Sequence, residues 1–172
     1  LETGIGENCG REEMTGTSIF DPVLCEIAYR WYCPPGGTVL DPFAGGSVRG
    51  IVAAVLGRRY VGVDLRAEQI EANRAQWPDI ATLFPESPAP EWHAGDSAVT
   101  VPPIAVEADM LMSCPPYGDL EVYSDDPADI SNMPAEDFDR IYAEIIGAAC
   151  AKLKDDRFAF WVVGEYRGRD GN

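Results

Sequence analysis

The sequence has little positive charge and no long apolar run. Only 13 of its 172 residues are Lys or Arg, against 29 Asp or Glu, so the formal net charge is −16. Such a balance opposes nonspecific adhesion to phosphate backbones, so any nucleic acid would have to be held by a local patch or by another part of the protein. The longest uncharged stretches, residues 31–40 and 97–106, fall far short of the ~18 apolar residues of a membrane helix. No membrane segment is therefore predicted.

Histidine and paired cysteines are also scarce. His93 is the only histidine, and the five cysteines form no Cys-x-x-Cys pair; they are Cys9, Cys25, Cys33, Cys114 and Cys150. This pattern predicts neither a disulfide framework nor a metal site, and it fits a reducing cytoplasm. The first residues contain no Met, no basic stretch and no apolar segment, so we expect no signal peptide.

The remaining composition is that of one globular domain, with 46% hydrophobic and 24% charged residues. Residues 1–16 are rich in glycine and polar side chains and are predicted to form an N-terminal arm or loop, whereas residues 17–172 form the domain. Helices are predicted over residues 22–32, 48–56, 67–76 and 134–153, and strands over residues 38–43, 60–64, 92–93, 108–113 and 157–163. This alternation predicts an α/β fold with a doubly wound, mostly parallel sheet.

Four successive strands end in a polar or otherwise unusual residue: Asp41, Asp64, Asp96 and Cys114. Because ligands of such sheets bind at the carboxyl ends of the strands, these side chains are expected in one crevice. Asp64 is suited to the hydroxyl pair of a ribose, and Asp96 with Ser97 is suited to the amine of an adenine ring. The strand ends together predict an adenosine-bearing ligand.

The turn after the first strand reads Phe43-Ala44-Gly45-Gly46-Ser47. Its two glycines allow the backbone to approach a ligand closely, but the turn lacks the GxGxxG fingerprint of dinucleotide-binding proteins. A ligand without phosphates therefore fits better than NAD. Ser47 is expected to cap the helix that follows.

The segment Ser113-Cys114-Pro115-Pro116-Tyr117 follows an apolar strand. Neither proline has an amide hydrogen, so strand pairing must stop there and the carbonyl oxygens stay available as acceptors. Tyr117 adds an aromatic face. These features suit a planar group that carries an amine.

Two of these segments resemble motifs of the amino-group DNA methyltransferases, which transfer a methyl group from S-adenosylmethionine to N6 of adenine or N4 of cytosine. Residues 41–46 resemble the cofactor motif, and residues 113–117 resemble the catalytic motif, an Asp, Asn or Ser followed by Pro-Pro-Tyr. Residues 20–24 resemble the segment that crosses the methionine end of the cofactor. The likeness extends from about residue 17 to residue 164.

The resemblance implies a Rossmann-like methyltransferase sheet, S-adenosylmethionine as cofactor and no metal. It also implies direct attack of the amine on the sulfonium methyl, with the target base flipped out of its stack and placed against Tyr117. The catalytic residues that it implies are Cys114, Pro115, Pro116 and Tyr117. The cofactor-binding residues that it implies are Phe20, Asp21, Asp41, Pro42, Phe43, Gly45, Gly46, Asp64, Leu65, Asp96 and Ser97. Such an enzyme would serve a bacterial or phage restriction-modification system and act in the cytoplasm.

The sequence departs from the family pattern at three points. Cys114 stands where the family usually has Asp, Asn or Ser, and a thiol is a weak acceptor. Ser47 replaces the second glycine of Phe-x-Gly-x-Gly. The sequence also ends just after the fifth predicted strand, whereas the family has two further strands and a target-recognition region. We therefore expect a catalytic core without its C-terminal part, whose contacts with double-stranded DNA depend on regions largely absent from this chain.

Other interpretations stay open. Pro-Pro-Tyr can hold any planar amine, so RNA or a protein glutamine amide is an alternative substrate, and Cys114 with the short chain is compatible with an inactive cofactor-binding subunit. The acidic stretch 118–133 is expected to be either a lid over the target or a solvated connection. Trp31, Trp77 and Trp161 are predicted to be core residues. The oligomeric state and the choice between adenine and cytosine are not predicted.

Overall fold

The computed structural model describes residues 19–116 and 124–163; the predicted N-terminal arm, residues 1–16, and Tyr117 lie outside this part. Its strands are β1 (Thr38–Asp41), β2 (Arg59–Asp64), β3 (Glu91–Ala94), β4 (Ala108–Ser113) and β5 (Leu153–Trp161). Its helices are α1 (Pro22–Tyr32), α2 (Val48–Val55), α3 (Ala67–Leu83), α4 (Ser97–Thr100) and α5 (Ala135–Cys150), with a 3-10 turn at Ile130–Asn132 before α5.

The strands form one parallel sheet in the order β3-β2-β1-β4-β5. The chain winds from β1 outward to β3, returns to β4 on the other side of β1, and then continues outward to β5. The predicted α/β, doubly wound fold is therefore confirmed. The winding reverses between β1 and β4, and open sheets of this kind bind their ligands outside the carboxyl ends of the strands at that position.

The two central strands, β1 and β4, are buried along their whole length. Successive side chains point to opposite faces of the sheet, so Val39 and Leu40 belong to two separate core clusters. The first cluster contains Tyr29 of α1 and Ala53 of α2, and the second contains Ala149 of α5. Both faces are thus covered, as a parallel sheet requires. In the part of the chain described, no helix is long and apolar enough to cross a membrane.

One helix continues beyond its predicted end. The sequence predicts that Trp77-Pro78 stops the third helix at residue 76, but α3 runs to Leu83 with Pro78 inside it. Proline removes one amide donor from the helix, but backbone bonds beyond it persist: the Phe84 amide donates to the Ile80 carbonyl oxygen at 3.0 Å. The proline-rich residues 78–90, which the sequence predicts to be a surface connection, therefore belong to α3 as far as Leu83.

Three other expectations, on Ser47, on Trp31 and on the start of the last strand, need correction. Ser47 does not cap α2 with its side chain, because its hydroxyl donates instead to the Gln76 side-chain oxygen at 2.6 Å. Trp31 is not a core residue, since 72% of its surface is exposed. Trp77 and Trp161 are partly buried against the two core clusters. The last strand also begins at Leu153 rather than at residue 157, and α4 is an element that the sequence pattern did not predict.

Near the amino ends of the strands, Asp109 joins β1, β4 and β5 through its side chain. It accepts a hydrogen bond from the Thr38 amide at 3.0 Å and pairs with Lys154 at 3.0 Å and with Arg157 at 3.4 Å. Burial by itself raises the pKa of Asp109, but the Thr38 amide and the two cations outweigh it, so the net pKa is lowered. The ionised carboxylate therefore stabilises the fold.

We expect Asp109→Ala to lower the free energy of unfolding by about 1–3 kcal/mol, because the Thr38 amide and two cations lose their acceptor. Asp155→Ala removes an exposed carboxylate from the same strand as Lys154 and should change it by less than about 0.5 kcal/mol. Because the folded-state pKa is lowered, the Asp109 contribution is present above the ordinary value of 3.8 and is lost as the pH falls through the folded-state value. Urea unfolding between pH 3 and pH 7 measures the free energy of unfolding of both variants. Equal losses of stability in the two variants would contradict the role of Asp109.

Candidate active site

A cavity of about 440 Å³ lies at the carboxyl edge of the sheet. Its wall contains many residues predicted from the sequence: Phe20, Pro42, Phe43, Gly45, Gly46, Asp64, Leu65, Asp96, Ser97, Cys114 and Pro116. These residues come from segments up to 96 positions apart (116 − 20) and converge because the parallel strands all end at one edge. No group of three or more metal-ligating side chains occurs among the described residues.

Three predicted residues of the described part lie outside the cavity wall. Asp21 caps α1, since its side chain accepts from the Val23 amide at 2.8 Å. Pro115 is buried between Cys114 and Pro116, which both line the wall. Asp41 is completely buried behind the wall.

Asp41 is surrounded by donors. One carboxylate oxygen accepts from the Ser113 hydroxyl at 2.6 Å and the Phe43 amide at 3.1 Å. The other accepts from the Arg49 guanidinium at 2.6 Å and the Tyr60 hydroxyl at 2.7 Å. With no exposed surface and four donors, Asp41 cannot contact a ligand directly, so the predicted role in cofactor binding changes to one of holding the loop.

Arg49 is a residue that the sequence analysis missed. It is 4% exposed, and besides its bond to Asp41 it donates to the carbonyl oxygens of Phe43 and Ala44. Its guanidinium also lies 4.8 Å from the centre of the Phe20 ring, within the range of a cation–π contact. Burial by itself lowers the pKa of Arg49, but Asp41 more than compensates and raises it, so the charge is retained. The available signal was a single arginine within the otherwise apolar helix α2.

We expect Arg49→Met to lower the free energy of unfolding by about 3–5 kcal/mol, because it leaves the buried Asp41 carboxylate without its cation. Adding Asp41→Asn should recover part of this loss, with a coupling of about 1–3 kcal/mol between the two sites. Arg30→Met removes the exposed ion pair with Glu26 on α1 and is the matched control, expected to cost less than about 0.5 kcal/mol. Denaturant unfolding compares the variants, and additive effects at the two sites would exclude the coupling.

Two side chains hold the glycine turn in place, one at the amide and one at the carbonyl oxygen of Gly45. Gly45 has φ +51°, a left-handed conformation that glycine adopts without strain. Its amide donates to Asp64 at 2.8 Å, and its carbonyl oxygen accepts from the Asn73 side chain at 2.7 Å. Asn73 has no exposed surface and in turn accepts from Gln69 at 2.9 Å. Together with Arg49, these contacts occupy the carbonyl oxygens of three consecutive loop residues.

Asp64 combines a structural contact with a place in the cavity wall. Its second oxygen accepts from the Arg66 amide at 3.0 Å, so each carboxylate oxygen holds one backbone amide and retains further acceptor capacity. Burial raises the pKa of Asp64, although the two amides counteract this shift. The carboxylate therefore faces the cavity as a partly desolvated acceptor pair.

Asp96 and Ser97 lie at the end of β3, where α4 begins. The Asp96 side chain caps α4 by accepting from the Ala98 amide at 2.9 Å. The Ser97 hydroxyl donates to the Pro42 carbonyl oxygen, which ties the loop after β3 to the loop after β1. Both residues line the cavity, so the short helix positions them there.

At the end of β4, the side chains of Ser113 and Cys114 lie in different surroundings. The Ser113 hydroxyl points back into the protein, where it donates to Asp41 and accepts from the Phe43 amide. Cys114 and Pro116 instead line the cavity. Ser113 therefore cannot take the place of the polar residue that the resemblance leads one to expect at position 114.

The acidic stretch closes one side of the cavity. Ala128, Asp129 and Ile130 line it, and the buried Asp129 side chain accepts from the hydroxyls of Ser124 and Ser131. This part of the stretch is a wall of the cavity, and the choice between a lid over the target and a solvated connection stays a prediction. Of the other acidic residues in the stretch, Asp125 and Asp126 are exposed, and Asp119 and Glu121 lie outside the described residues.

Comparison with known proteins agrees with this geometry. Residues 24–75, which include the glycine turn and Asp64, match the N6/N4 methyltransferase family model, described as DNA methylase. Among solved structures, an rRNA methylase from Streptococcus thermophilus superposes with a TM-score of 0.59 and 13% identity, covering 90% of this chain and 76% of that one. A Clostridium thermocellum protein, provisionally assigned as an rRNA methylase, gives a TM-score of 0.58 and 15% identity, with coverages of 90% and 77%.

A third structure is a provisionally assigned S-adenosylmethionine-dependent methyltransferase from Methanococcus maripaludis. It gives a TM-score of 0.54 and 18% identity, and the match covers 83% of this chain but only 55% of that one. At these identities the superpositions establish the fold alone. The chain has the Rossmann-like fold of the S-adenosylmethionine-dependent methyltransferases, and over residues 24–75 it is similar to the amino-group DNA methylases.

Proposed function

We propose that this chain is the catalytic core of a methyltransferase that methylates the exocyclic amine of cytosine (N4) or adenine (N6) in DNA, within a bacterial or phage restriction-modification system. The observation that carries the proposal is the position of Cys114 and Pro116. They line the same cavity as Asp64, Asp96 and the glycine turn, so an amine held by the one set lies beside a ligand held by the other.

The chemistry of the cavity wall fits S-adenosylmethionine. The Asp64 carboxylate offers an acceptor pair for a ribose diol, and Asp96 with Leu65 offers a polar group and an apolar face to an adenine. Gly45 and Phe20 lie on the wall beside them and would border the methionine part. The volume of about 440 Å³ lies within the ordinary range for small-molecule sites. When bound, this cofactor supplies a methyl group on a positively charged sulfur.

The protein's contribution at the end of β4 is to position the target amine. The two prolines after Cys114 bring no amide donors, so the backbone there presents acceptors only, and the Pro115 carbonyl oxygen is proposed to accept a hydrogen from the amine. The Cys114 thiol is a weaker acceptor beside it. Tyr117 is proposed to stack against the flipped base. Orientation and exclusion of water are then the main sources of rate enhancement.

RNA is the second candidate substrate. The family match is to a DNA methylase model, but the S. thermophilus structure with the same fold is an rRNA methylase. The net charge of −16 disfavours unassisted contact with either polyanion. Contacts with double-stranded DNA would therefore depend on regions beyond the described core.

We expect S-adenosylmethionine to bind the purified chain with micromolar affinity and NAD not to bind, because the glycine turn lacks the pyrophosphate-binding fingerprint. Asp64→Ala should abolish binding, whereas Glu68→Ala, an exposed carboxylate on α3, should leave it unchanged. Because the pKa of Asp64 is raised, affinity should fall as the pH decreases, with a midpoint above the ordinary value of 3.8. Isothermal titration calorimetry measures the affinity for each ligand, the effect of each variant and the dependence on pH. Binding of NAD, or full binding of S-adenosylmethionine by Asp64→Ala, would refute the assignment of the cofactor site.

We expect the protein, when it includes the regions that contact DNA, to transfer a tritiated methyl group to unmethylated DNA, and digestion of the product should yield N4-methylcytosine or N6-methyladenine. Cys114→Ser provides a stronger acceptor and should raise kcat about tenfold without changing the KM for the cofactor. Cys150→Ser, an exposed cysteine at the end of α5, is the control. Transfer to rRNA alone would favour the second candidate, and activity in Cys114→Ser but not in the natural sequence would identify an inactive subunit.

A further inference from the structure

Four aromatic rings gather beside the end of β4. The Tyr142 ring centre lies 6.0 Å from that of Phe43, 5.5 Å from that of Phe138 and 6.5 Å from that of Trp161. Phe43 is itself part of the cavity wall. The cluster therefore begins at the proposed cofactor site and extends away from it.

The topology places this cluster at the carboxyl edge of the sheet. Trp161 is the last residue of β5 and lies in register with Ser113, the residue before Cys114. Phe138 and Tyr142 are four residues apart on α5, and therefore share one face of the helix. Ile145, farther along α5, lines the cavity. The first half of α5 thus lies beside the end of β4, where Cys114 follows Ser113.

The exposure of these rings differs from that of core side chains. Ile145 and Ala149, farther along α5, are 2% and 0% exposed, whereas Phe43, Phe138, Tyr142 and Trp161 are all only partly buried. Burial raises the pKa of Tyr142, so its phenol stays neutral at physiological pH. Uncharged, half-exposed rings at a site edge suit a flat aromatic ligand better than a charged one.

We propose that Phe138 and Tyr142 form a wall of the pocket for the target base, against which a planar heteroaromatic amine stacks while its amine lies at Cys114-Pro115-Pro116. This inference rests on the proposed function, since it concerns the substrate of that site. It assigns to α5 a part in base binding that the sequence analysis did not recognise. Loss of one such stacking contact weakens binding of a base about tenfold or more, enough to influence which nucleotide is held.

The test measures binding of a fluorescein-labelled single-stranded oligonucleotide containing all four bases, by anisotropy with S-adenosylhomocysteine present, together with methyl transfer. Tyr142→Leu and Phe138→Leu should weaken oligonucleotide binding about tenfold or more and raise its KM to match. Tyr142→Phe keeps the ring and should bind as the natural sequence does. Phe158→Leu removes an aromatic ring that is 55% exposed on β5, away from the cavity, and is the matched control.

Cofactor binding, measured by titration calorimetry, should stay within about twofold in every variant, which separates base binding from folding. Unchanged oligonucleotide binding and KM in both leucine variants, with an active natural sequence, would overturn this proposal and leave the proposed function intact. A loss of cofactor affinity equal to the loss of oligonucleotide affinity would show a structural role and would also overturn it. A natural sequence that neither binds nor methylates nucleic acid would refute the proposed function and this inference together.

Discussion

The ion pair between Asp41 and Arg49 is the contact on which the site depends. Both side chains are withdrawn from water, and such a pair is tolerated only when further hydrogen bonds satisfy its remaining atoms. Here those bonds come from β2, from β4 and from the loop itself, through Tyr60, Ser113 and Phe43. One buried carboxylate thus joins three neighbouring strands, β1, β2 and β4, and the loop that follows β1 takes its position from them.

The same principle extends to the rest of the loop. Arg49 holds the carbonyl oxygens of Phe43 and Ala44, and Asn73 holds that of Gly45. A polar backbone group buried without a partner would cost free energy, so these side chains let the loop pack against the sheet. Asp64 takes the Gly45 amide and still faces the cavity. Formation of the cavity and folding of the loop are therefore coupled.

Much of the fold could be read from local patterns. Within residues 19–116 and 124–163, the alternation of helical and apolar segments predicted all five strands and four of the five helices, because hydrophobic periodicity reflects the faces that are buried. The errors arose where a local rule was outweighed by its surroundings. Pro78 was expected to stop a helix whose later turns persist, and Trp31 was expected to be buried although its surface faces outward. The capping role of Ser47 failed because a tertiary partner, Gln76, took its hydroxyl.

The sequence by itself determined the chemistry available: acids at strand ends, a glycine turn and two prolines after an apolar strand, each set by residue type and spacing. Only the tertiary structure decided which of these residues line the cavity. Asp41 and Asp64 look alike in sequence, yet one is buried among four donors and the other lines the cavity. That difference depends on Arg49, Tyr60 and Ser113, which approach Asp41 from separate segments. Local spacing carries no information about such neighbours, because only packing of the sheet brings them together.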